Sequence, residues 1–199
     1  MKKLKLQIQI SVDGYIADSQ GRTDWMIWNW GPTWTWDDPL QKYFIDLHAT
    51  IDTVLPSRKM AAEGFIDHWA RVASNPGDPQ YPFAKAITAA HKVVFTKTLS
   101  QSVWENTSLA KGNLAEEINT LKKQDGKDMI VYGGASFVSS LIAAGLIDEF
   151  HLFVNPVALG SGLSIFKDPG YKRDLTLVAS QSYDCGMAVL TYVPAKGKQ

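Results

Sequence analysis

The chain has 199 residues, 45% of them hydrophobic, which suits one ordered globular domain or two small ones. Twenty basic residues balance twenty acidic ones with no basic block, which argues against a nucleic-acid partner, and no segment approaches the run of about 18 apolar residues that a membrane span needs. The single cysteine, Cys185, rules out an internal disulfide and fits a reducing, cytoplasmic setting.

Residues 4–12 alternate Leu4, Leu6, Ile8 and Ile10 with polar side chains, a strand pattern and not a secretory signal. From Asp24 to Asp38 the chain reads DWMIWNWGPTWTWDD, five tryptophans among fifteen residues, with Gly31 and Pro32 breaking regular structure. Two readings are open for these indoles. They fill a core or an interface, or they wall a pocket for a flat ring. DDPLQKYFIDLHA reads as a helix capped by Asp37 or Asp38, with Pro39 in its first turn and Leu40, Tyr43, Phe44 and Leu47 on one face.

A short strand, DTVL (52–55), leads into a helix over SRKMAAEGF that Gly64 ends. SNPGDPQYP (74–82) is a loop, PFAKAITAAH a helix and KVVFT (92–96) a strand. NLAEEINTLKKQDG is a helix capped by Asn113, with Glu116 three residues on and Gly126 past its end. DMIVYGG (128–134) is a buried strand, ASFVSSLIAAG a helix and DEFHLFVNPV (148–157) a strand. LTLVASQSY (175–183) and MAVLTYVP (187–194) form a hairpin turned at DCG. Alternating strands and helices predict an α/β sheet with parallel pairing, closed by an antiparallel hairpin.

Gly133-Gly134 sits where a buried strand hands over to a helix. There the backbone N–H groups and the positive end of the helix dipole suit a pyrophosphate, and Ser136 adds a hydroxyl. The segments SRK (57–59) and FTKT (95–98) also follow strands of parallel type. Loops at strand carboxyl ends line the ligand crevice of such sheets, so Arg58, Lys59 and Lys97 are candidates for one polyanion. The histidines His48, His68, His91 and His151 are scattered without zinc-ligand spacing, so no metal site is expected. No G-x-S-x-G elbow or Walker-type loop occurs.

In this order the segments resemble the dihydrofolate reductase-like superfamily. The branch they resemble is that of the C-terminal reductase domain of the riboflavin-biosynthesis deaminase/reductase. SVDGYIAD (11–18), DTVLPSRKMAAEGF (52–65), KVVFTKTL (92–99) and WENT (104–107) are each similar to pieces of that pattern. The stretch from Ile130 to Phe166 is close to it throughout, and the likeness spans about residues 4–193.

The resemblance implies a single dihydrofolate reductase-like domain over residues 1–199, with a central, mostly parallel sheet flanked by helices. It also implies NADPH as hydride donor and a homodimer. Carried over by position, the adenine-side phosphates fall to Arg58, Lys59, Thr96 and Lys97, with Ser57 beside them among the cofactor-binding residues, and the pyrophosphate falls to Gly133, Gly134, Ala135 and Ser136. The nicotinamide side falls to the loop carrying Val12, Gly14, Ile16 and Ala17.

The Trp-rich segment follows that loop and precedes the helix that carries the substrate-side carboxylate in dihydrofolate reductase. It therefore reads as a pocket wall or lid, with Trp28, Trp30, Trp34 and Trp36 as substrate contacts. Reduction of a C=N or C=O bond needs a proton as well as a hydride. A carboxyl group in an apolar site holds one near neutrality, and Asp37, Asp38 and Asp13 are the candidates by position. The expected activity is an NADPH-dependent reductase acting on a small planar or ribityl-type heterocycle of the pterin or pyrimidine class.

One departure stands out. The family usually has glycine before the arginine, whereas here the chain reads Pro56-Ser57-Arg58, and proline has no N–H to offer. The alternative reading is therefore a non-catalytic ligand-binding protein on the same fold, with its cofactor site degraded.

Overall fold

The computed structural model describes residues 1–167 and 172–195. The chain forms two compact units, each assembled from separate stretches of sequence. The first comprises residues 1–2 and 38–134, the second residues 3–37 and 135–199.

In the first unit, β2 (Ile51–Leu55) pairs in parallel with β3 (His91–Phe95) and with β5 (Asp128–Val131). The short strand β4 (Thr107–Ala110) extends β3, also in parallel. Parallel pairing requires crossovers, and helices supply them. Helix α1 (Asp38–Ala49) buries Leu40, Phe44, Leu47 and His48, while Tyr43 stays half-buried.

The helix expected after β2 ends before Gly64 as read, and a second helix that the pattern did not show follows it at once. Ser57 caps α2 (Arg58–Ala62), its hydroxyl accepting from the Met60 N–H at 3.1 Å. Gly64, at φ 92°, then turns the chain straight into α3 (Phe65–Val72), which buries Ile66 and Trp69. Helix α4 (Tyr81–Ala89) places Phe83 against Phe44 with ring centroids 4.6 Å apart. Asn113 caps α5 (Leu114–Lys122) as expected, accepting from the N–H groups of Ala115 and Glu116. The carboxylate that reaches back to the preceding loop is that of Glu117, which accepts from the Gly112 N–H at 2.9 Å.

In the second unit, β1 (Leu4–Ser11) pairs in parallel with β6 (Glu149–Asn155), and α6 (Ala135–Ala143) precedes β6. The strands β8 (Ala188–Pro194) and β7 (Leu175–Ser182) add antiparallel neighbours beyond β6. This is the α/β class with mostly parallel pairing and a C-terminal antiparallel hairpin. Gly186, at φ 90°, serves the tight turn between the last two strands. All eight residues of β1 are buried, the polar set Lys5, Gln7, Gln9 and Ser11 included. Both faces of this strand are therefore covered.

Candidate active site

Three parallel strands of the first unit, β3, β2 and β5, end along one edge, and their loops carry the candidate phosphate ligands. After β2, Pro56 and Ser57 are buried, and the Ser57 hydroxyl is turned inward to its capping bond. Ser57 has φ −63°, a conformation open to any residue, so the backbone here needs no glycine. Arg58 and Lys59 are exposed, and Lys59 reaches Glu63 at 3.7 Å.

After β3, buried Thr96 accepts from the N–H groups of Thr98 and Leu99 and so shapes the turn. Exposed Lys97 donates to the carbonyls of Lys111 and Gly112. After β5, Tyr132 and Gly133 are buried, and Gly134 is exposed at φ 86°, where a side chain would be strained. Ala135 and Ser136 open α6, in the second unit.

A pair that the sequence pattern did not expose holds this turn. Tyr132 OH lies 2.8 Å from His48 Nε2, and His48 Nδ1 lies 2.6 Å from the Phe44 carbonyl. A carbonyl only accepts, so Nδ1 carries the proton and Tyr132 donates to Nε2. Burial pushes the Tyr132 phenol up from its ordinary value and keeps it a donor. No spacing rule links residues 84 positions apart.

In the second unit, the loops after β1 and β6 leave the same edge, since Ser11 and Asn155 end the two strands in register. Asp13 ties the loops together. Its carboxylate accepts from the Ser11 hydroxyl at 2.6 Å, the Gly160 N–H at 2.7 Å and the Leu159 N–H at 3.1 Å. The Ser11 hydroxyl, with help from these N–H groups, holds the Asp13 carboxyl below the ordinary aspartate range. Asp13 is thus an ionised clamp between loops, an arrangement that suits holding the chain and not releasing a proton.

Val12 is exposed and its N–H bonds the Val157 carbonyl; Gly14 turns at φ 86°. The N–H of Ile16 donates to the Leu163 carbonyl, and buried Ala17 bridges to Leu163. Asp37 is half-buried and accepts from the Cys185 N–H at 2.9 Å, while Asp38 is exposed in the first turn of α1.

The tryptophans form a packed cluster. Trp28, Trp34 and Trp36 are 2%, 7% and 3% exposed. Trp28 lies at the centre, its ring centroid 4.8 Å from Trp36, 5.1 Å from Trp30 and 5.2 Å from Trp34. Trp36 stacks on Phe153 at 5.4 Å. Only Trp30, of the four expected to meet substrate, is half-buried. Three of the four therefore form the interior of the segment, as aromatic packing favours. Among the described residues no helix is long and apolar enough to cross a membrane, and no group of three or more His, Cys, Asp or Glu is placed to hold a metal ion.

These edges belong to the class of open α/β folds that offer loops at the carboxyl ends of parallel strands. The chain belongs to the RibD C-terminal domain family, whose model matches residues 2–189. It is 32% identical over 194 residues to "Uncharacterized protein YyaP" of Bacillus subtilis (strain 168), covering 96% of this chain and 94% of that one. A second protein of that strain, "Uncharacterized protein YwjB", is 27% identical over 98% of this chain and 99% of its own length.

Among solved structures, the putative riboflavin biosynthesis protein of Shewanella sp. PV-4 superimposes with a TM-score of 0.69 at 20% identity, over 98% of this chain and all of that one. The diaminohydroxyphosphoribosylaminopyrimidine deaminase/5-amino-6-(5-phosphoribosylamino)uracil reductase of Thermotoga maritima gives 0.66 at 17% identity, over 98% of this chain and 57% of that one. These two likenesses show a shared fold.

Proposed function

We propose that the protein is an NADPH-dependent reductase acting on a small planar heterocycle. The observation that carries this reading is the edge of the first unit. There the loops after β2, β3 and β5 present Arg58, Lys59, Lys97 and the Gly133-Gly134 turn from three adjacent parallel strands. Membership of a family of reductase type supports the same conclusion.

The residues present fit a phosphorylated dinucleotide. Ser57, which replaces the usual glycine, spends its hydroxyl on capping α2 and adopts an unstrained backbone. The substitution therefore leaves the course of the loop intact, and this favours the reductase over a degraded binder. Exposed Gly134 leaves backbone open to a close-approaching pyrophosphate. Arg58 is the cation suited to a bidentate grip on the phosphate that distinguishes NADPH from NADH. Lys97 is already committed to two carbonyls and adds charge at that site.

When bound, the cofactor supplies a hydride. The chain's own part is to grip the phosphates and to fix the glycine turn through Tyr132 and His48. Of the carboxyl groups considered for proton delivery, half-buried Asp37 is preferred over the Asp13 clamp and exposed Asp38.

Calorimetric titration of NADPH and NADH into the wild type and Arg58→Ala tests the reading. The wild type should prefer NADPH. Loss of a charge-assisted phosphate contact worth about 1.5–3 kcal/mol should weaken NADPH roughly tenfold or more and leave NADH nearly unchanged. Equal affinity for the two cofactors, or none for either, refutes it.

A further inference from the structure

Trp30 differs from the other indoles of its cluster in two ways. It has φ 58°, in the left-handed region, which a bulky side chain adopts only when its surroundings force it. It is also half-buried, whereas Trp28, Trp34 and Trp36 are buried.

The forcing elements are visible on both sides. Asn155, fully buried at the end of β6, accepts from the Ile27 N–H at 2.9 Å and donates to the Gln9 side-chain oxygen at 3.2 Å. Gln9, buried on β1, donates in turn to the Trp28 carbonyl at 2.7 Å. This amide pair takes up both the N–H and the C=O of the Ile27–Trp28 step and pins it at the carboxyl end of the parallel pair β1 and β6. Beyond Trp30, the Trp28 indole N–H donates to the Gly31 carbonyl at 3.2 Å. The chain is thus anchored before and after Trp30, and the strain falls on Trp30 itself. The result backs its ring with Trp28, at a centroid distance of 5.1 Å and an interplanar angle of 48°.

Packing does not explain this arrangement, because a smaller or left-handed-tolerant residue would satisfy the anchors without strain. Strain kept in a folded protein concentrates where a ligand is met. We propose that Trp30 is the stacking platform for the planar ring of the substrate, with Trp28 as its rigid backing and Gln9 and Asn155 as positioning residues. The class of ligand is a flat, polar heterocycle of pterin or pyrimidine type, held face-on by an indole at the carboxyl edge of β1 and β6. The inference rests on the heterocycle half of the proposed function and is independent of the cofactor.

The test is titration of pterin and of lumazine into wild type, Trp30→Gly and Trp30→Phe, followed by calorimetry, with thermal midpoints measured on the same samples. The wild type should bind at least one of the two probes. Trp30→Gly should lose about tenfold or more in affinity, the scale of stacking one aromatic on a heterocyclic base, while keeping or raising its midpoint, since glycine adopts φ 58° freely. Trp30→Phe should keep affinity within a few-fold of wild type.

The proposal is overturned if Trp30→Gly keeps its affinity, or if affinity and midpoint fall together as they would for a packing residue. It is also overturned if Trp30→Phe loses as much as Trp30→Gly, or if the wild type binds neither probe at millimolar concentration. NADPH titrated into the same wild-type samples separates the two proposals. Binding of pterin without NADPH removes the reductase reading and leaves Trp30 in its role, whereas the converse removes the role of Trp30 and leaves the cofactor site.

Discussion

Replacing Trp28 by alanine tests whether the Trp-rich segment is an interior or a cover. Trp28 is 2% exposed, lies within 5.2 Å, centroid to centroid, of three other indoles, and donates its N–H to Gly31. Truncation of a buried tryptophan costs about 3–5 kcal/mol, and the Gly31 carbonyl loses a bond worth on the order of 1 kcal/mol. Against a total stability of roughly 5–15 kcal/mol, this is a large fraction. For a chain of this size each kcal/mol moves the thermal midpoint by about 2–4 °C, so the combined loss of about 4–6 kcal/mol should lower it by roughly 8–24 °C. Trp30→Ala, which removes one aromatic pairing from a half-buried ring, should cost only about 1 kcal/mol. Urea unfolding followed by far-UV circular dichroism avoids the loss of the fluorophore itself, and the slope of the transition should stay unchanged. A loss below about 1 kcal/mol for Trp28→Ala, with an unchanged slope, refutes the core assignment.

Other outcomes follow from single contacts. The His151 ring nitrogen, bonded to Glu149 at 2.8 Å, leads the interactions that hold the Glu149 carboxyl down at about 2 from its ordinary 4.5. A depressed carboxyl stabilises the fold above its unfolded value, so stability should fall as pH drops from about 4.5 towards 2. Glu149→Gln should flatten that part of an acid-unfolding curve; an unaltered curve refutes it. At Gly162 an added Cβ would stand 2.2 Å from the Ala17 carbonyl oxygen, a backbone atom that cannot swing away. Gly162→Ala should therefore break the Ala17–Leu163 bridge and speed amide exchange at Ile16 and Leu163, and unchanged exchange refutes it. The strand β7 leaves Leu177 and Val178 50% and 54% exposed. Light scattering should give twice the 22.0 kDa chain mass at micromolar concentration, and a mass of 22.0 kDa refutes the homodimer.

What could be read from the sequence alone was local. Strands and helices follow from periodicity, the Asn113 cap and the Gly64 stop from side-chain chemistry within a few residues, and the glycine turn after β5 from its dipeptide. The helix α3 and the strand β4 escaped, the first because it hides behind a glycine that both ends and starts a helix. Tertiary structure alone decided the rest. Each compact unit is built from separate stretches of chain, so no shift of composition along the sequence marks a boundary. The alternation in β1 marks a strand but not its cover: polar Gln9 is buried along with the apolar positions, because what covers a strand is set by distant segments and not by its own pattern. Asp13 read as a possible acid until Gly160, 147 residues away, brought it the N–H that helps keep it ionised. Likewise the five indoles carry no mark of which is buried. Only the folded chain shows it: with the Ile27–Trp28 step held by Gln9 and Asn155, three rings are buried and Trp30 takes the strained, half-buried place.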